Sequence, residues 1–80
     1  MDIPKHVARL VDAWCERRCL NALSRVLRGW PLTSGLTDDW ASLLDALKNV
    51  RAFARDELTE TEQVSVDELV SAIEKIVYRL

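Results

Sequence analysis

The chain has 80 residues, room for one domain around one core, so residues 1–80 are expected to form a single helical domain. Hydrophobic residues make up 49% and charged residues 30%, with only two Gly and two Pro, which excludes a disordered or collagen-like chain. The formal charge of −2 excludes a globally basic protein. No apolar run approaches the roughly 18 residues that span a bilayer and no such run follows Met1, so a cytoplasmic chain without membrane attachment is expected.

The first predicted helix spans about residues 4 to 28. Asp2 is placed to cap it, Pro4 suits a first turn, and Gly29 before Trp30-Pro31 stops it, Gly29 being able to take the left-handed conformation after the last turn. Its large apolar residues do not keep to one side. Val7, Leu10 and Trp14 are displaced by roughly 160 to 180° from Leu20, Leu23 and Leu27, and a seam of Ala8, Val11, Cys15, Cys19, Ala22 and Val26 runs between them. Two packings fit this pattern. Either the helix lies diagonally across the others and uses both flanks, or one flank stays open for a second subunit or a different protein.

Residues 29–36 form the main loop. The second predicted helix covers 38–59, with Thr37 as cap, Asp38 and Asp39 at the favourable positive end, and a stripe of Trp40, Leu43, Leu44, Leu47, Val50, Ala54 and Leu58. Phe53 falls off that stripe and Arg51 intrudes on it. The third covers 66–80: Ser65-Val66-Asp67-Glu68 reads as a capping box, Val64 as a staple onto Leu69, and Val66, Leu69, Val70, Ile73, Ile76, Val77 and Leu80 as its buried stripe. No segment alternates as a strand does. The fold class is therefore all-α, a small three-helix bundle, with dimerisation as one way of completing its core.

Chemistry-bearing patterns are sparse. Cys15 and Cys19 offer two metal ligands where three or four must converge, and a spacing of four on a helix disfavours a disulfide between them. The one histidine, His6, lies about 13 Å along a helix from Cys15, too far to activate a thiol. The acidic pairs Asp38-Asp39, Asp56-Glu57 and Glu60 with Glu62 lie at helix ends or connections, and no Gly-rich phosphate loop exists. No enzyme, metal or cofactor is expected.

What remains is a surface. Arg17 and Arg18 follow Leu10 and Trp14 on one side of the first helix, Arg25 and Arg28 continue the line, and Trp30 comes next. Trp bordered by Arg is the composition enriched at protein interfaces, so Leu10, Trp14, Arg17, Arg18, Arg25, Arg28 and Trp30 form the candidate interface. A solvated basic stripe beside a partly buried Trp is the plainer reading of the same residues. Charge also divides along the chain: residues 1–31 carry six basic against three acidic side chains, a net +3, and the rest carries −5. A regulatory module that binds a protein, or itself, is the leading expectation. The other is a small nucleic-acid-associated regulator using the basic stripe, which the acidic remainder disfavours.

Overall fold

A computed structural model of the chain describes residues 2–32 and 37–78. Four α-helices lie within them: α1 (Ile3–Glu16), α2 (Leu20–Val26), α3 (Thr37–Phe53) and α4 (Glu60–Tyr78), with a 3-10 turn at Arg55–Glu57 between the last two. The all-α class is as expected. The first predicted helix, however, is two.

The break has a definite geometry. Arg17 ends α1, Arg18 takes a left-handed backbone with φ 56°, and the Cys19 N–H donates to the Trp14 carbonyl at 2.8 Å while the Arg18 N–H donates to that of Cys15 at 3.2 Å. These are the two bonds of a Schellman turn, in which the position taken by Arg18 usually holds glycine. The wheel shows why the chain turns. On a straight helix Cys19, Ala22 and Val26 would face about 120° away from Val7, Leu10 and Trp14. The turn brings both sets into one core, where Val7, Trp14, Ala22 and Val26 lose all solvent exposure.

Only part of the small-residue seam is buried: Cys19, Ala22 and Val26 are, whereas Ala8 and Val11 are half-buried and Cys15 is exposed. Asp2 caps α1 as expected, its Oδ1 accepting from the Lys5 N–H at 3.2 Å. Gly29 serves a different purpose from the one expected. A Cβ there would lie 2.4 Å from the Ser42 carbonyl oxygen, so the residue is needed for a close approach of the chain after α2 to the backbone of α3.

α3 packs against both α2 and α4. Its stripe is as read from sequence: Leu43, Leu44, Leu47, Val50, Ala54 and Leu58 are buried, Trp40 is partly buried, and Phe53 stands out into solvent. The helix stops at Phe53, earlier than expected, and the chain reaches Leu58 through the 3-10 turn. Arg51 turns to Asp67 on α4 at 3.6 Å, which takes it out of the apolar stripe. The expected Thr37 cap concerns a side chain outside the described set, as do residues 33–36 of the loop and positions 79 and 80.

α4 begins six residues before the predicted start. The capping box in use is Thr59-Glu60-Thr61-Glu62, with the Thr59 hydroxyl accepting from the Glu62 N–H and the Glu62 carboxylate accepting from the Thr59 N–H, both at 3.1 Å. Ser65 and its acids lie inside the helix, and Val64, expected as a staple, is exposed. Two boxes of the same form compete here. The earlier one wins because Glu62 also meets Arg17 through two short hydrogen bonds in a largely buried setting, whereas Asp67 of the second box makes only an exposed contact with Arg51 at 3.6 Å. Downstream, Val66, Leu69, Val70 and Ile73 are buried as expected, with Ile76 and Val77 partly so.

Candidate interaction surface

Two inter-helix joints meet beneath the surface in question, the α1–α2 turn and the α3–α4 connection. The Arg17 guanidinium donates to both oxygens of the Glu62 carboxylate, at 2.5 and 2.7 Å, and also to the Glu57 carbonyl at 3.4 Å. The Glu57 carboxylate accepts from the Ala22 N–H at 2.8 Å, satisfying one of the free donors in the first turn of α2. Asn21 donates to the Phe53 carbonyl at the end of α3, also at 2.8 Å. Position and ionisation are linked: the hydrogen bonds from Arg17 hold the Glu62 carboxyl below the usual carboxylate range, against the opposing effect of burial, and the same pairing raises Arg17. The Thr59 backbone N–H and, to a smaller extent, the Trp14 indole N–H contribute to that lowering, although the indole N–H is buried without a hydrogen-bond partner of good geometry.

The seven candidate residues separate into distinct environments. Leu10 and Trp14 are buried inside this one chain, 6% and 0% exposed, which corrects the expectation that they anchor a surface. Arg17 is occupied by Glu62. Arg25 is held at 2.9 Å by Asn21 and stacks over the Phe53 ring at 4.8 Å. Trp30 is half-buried against the end of the core. Arg18 and Arg28 remain exposed, and neither forms an ion pair among the described residues.

Between those two arginines lies a feature that sequence reasoning placed on a flank without assigning it to the site. Leu20 and Leu27 are 70% and 52% exposed. Seven residues apart, they stand on the same side of α2, about 10 Å from one another along the axis, with exposed Ser24 between them. The signal was the displaced late flank of the predicted first helix. Once the chain turns at Arg18 the small face becomes the buried one, and these leucines are left outside.

No pocket opens among the described residues, and no cluster of three or more metal-binding side chains occurs among them. Among the described residues no helix is long and apolar enough to cross a membrane. The chain matches no protein-family model, curated protein or solved structure.

Proposed function

We propose that this chain is a non-enzymatic interaction module of regulatory type, cytoplasmic, that binds a protein through α2 and the arginines flanking it. The observation that carries this reading is the pair Leu20 and Leu27, exposed on one side of α2 between Arg18 and Arg28. Burying a leucine fully is favourable by about 1.5 to 3 kcal/mol, and here two stand outside a core that holds smaller residues from the same helix. Arginine around an apolar centre supports a protein partner, because its fork pairs with carboxylates while its stem covers apolar surface. Nucleic acid fits less well. Leucines offer no hydrogen bonds to phosphates or base edges, and residues beyond 31 carry a net −5 that repels a polyanion.

A photo-crosslinking side chain at Ser24, between the leucines, tests the reading inside cells. Lys5, exposed on α1, is the comparison position. A discrete protein adduct from position 24, lost when Leu20 and Leu27 are both changed to Ser, is the expected outcome; equal labelling from positions 5 and 24 would remove the α2 surface from consideration.

A further inference from the structure

We propose that the partner seated on α2 is a second copy of this chain, which presents the acidic start of its own α4. This rests on the α2 reading above and names its occupant. The solvent side of α4 carries Glu60, Val64 and Glu68 in successive steps of four, so they stand in one row about 12 Å long. Val64 is 56% exposed, an apolar side chain between two carboxylates. Asp67, beside the row, is engaged with Arg51, whereas Glu60 and Glu68 form no ion pair among the described residues.

The two surfaces are complements in size and in charge. On α2, two leucines about 10 Å apart leave a gap over Ser24, and exposed arginines precede and follow them. On α4, one valine has a carboxylate about 6 Å to either side. Val64 fits the gap between Leu20 and Leu27, which sets Glu60 and Glu68 outward toward Arg18 and Arg28. The charge division supports the same pairing, since α2 lies in the +3 segment and α4 in the −5 segment. The surfaces in contact are unlike, so two copies using both reciprocally close as a twofold dimer, and otherwise the contact repeats along a chain of copies. With a small epitope the association is weak, with a dissociation constant between roughly 1 µM and 1 mM.

Sedimentation equilibrium of the full chain is the test, with Arg28→Glu and Glu68→Arg as single variants at exposed positions and circular dichroism as the check on folding. Wild-type mass should rise with concentration, and each variant should associate about tenfold more weakly or not at all. An equimolar mixture of the two variants should regain association, because Arg28 of one chain then meets Glu68 of the other. A wild type that stays monomeric to about 1 mM would overturn the second copy as occupant while leaving α2 available to a foreign partner. Association that survives Glu68→Arg, or variants that fail to complement, would overturn the α4 pairing.

Discussion

Arg18 offers the sharpest test of the fold, because two chain paths predict opposite signs for one substitution. A non-glycine residue in the left-handed region costs about 1 to 2 kcal/mol, and Arg18 sits there with φ 56°. Glycine removes that cost but loses more chain entropy on folding, about 0.5 to 1 kcal/mol, so Arg18→Gly should stabilise by about 0.5 to 1 kcal/mol. For a chain of 80 residues this raises Tm by about 3 to 6 °C. Arg18→Ala keeps the strain and should leave stability nearly unchanged. Had the helix run straight from residue 4 to 28, alanine would stabilise slightly and glycine would destabilise by about 1 kcal/mol. Urea and thermal unfolding followed by circular dichroism, at one low protein concentration, rank the three proteins. Finding Arg18→Ala more stable than Arg18→Gly would refute the turn.

Two further outcomes follow, one from the Arg17–Glu62 contact and one from the close approach at Gly29. Glu62 has its folded pKa below the ordinary 4.5, so its ionised form contributes stability that is complete above that value and is lost as pH falls through the lower, folded one. Glu62→Gln keeps an acceptor for the cap but loses the charge; wild type should therefore be the more stable at neutral pH, with urea midpoints converging as pH falls below the ordinary carboxylate range, and parallel curves would contradict the Arg17 pairing. Gly29→Ala forces a Cβ against the Ser42 carbonyl oxygen, 2.4 Å away, and should destabilise by about 1 to 3 kcal/mol in the same unfolding assay; a neutral effect would mean that α2 and α3 can separate freely.

Helical class and the faces of α3 and α4 were legible because their apolar residues repeat at three and four, and burial follows that repeat directly. The break at Arg18 was only half legible. A flank that changes side halfway along a predicted helix marks a turn as readily as a diagonal crossing, and no Gly or Pro stands at the turn to separate the two. The start of α4 shows a different limit: Thr59-Glu60-Thr61-Glu62 and Ser65-Val66-Asp67-Glu68 are equivalent as local signals, and a side chain 45 residues away decides between them. The site inherits the first limit. Trp14 and Leu10 look like anchors only while the helix is straight; bent, it buries them and presents Leu20 and Leu27 instead.

Because Arg17 grips Glu62 and the Glu57 carbonyl, while Glu57 in turn satisfies an α2 amide, the two joints share their fastenings. Fraying at one therefore releases the other, and amide protons around residues 19–23 and 59–63 should exchange with solvent deuterium as one unit. Opening this corner loosens α2 together with the start of α4, the segments that present Leu20, Leu27 and Val64, so local unfolding withdraws both surfaces at the same moment.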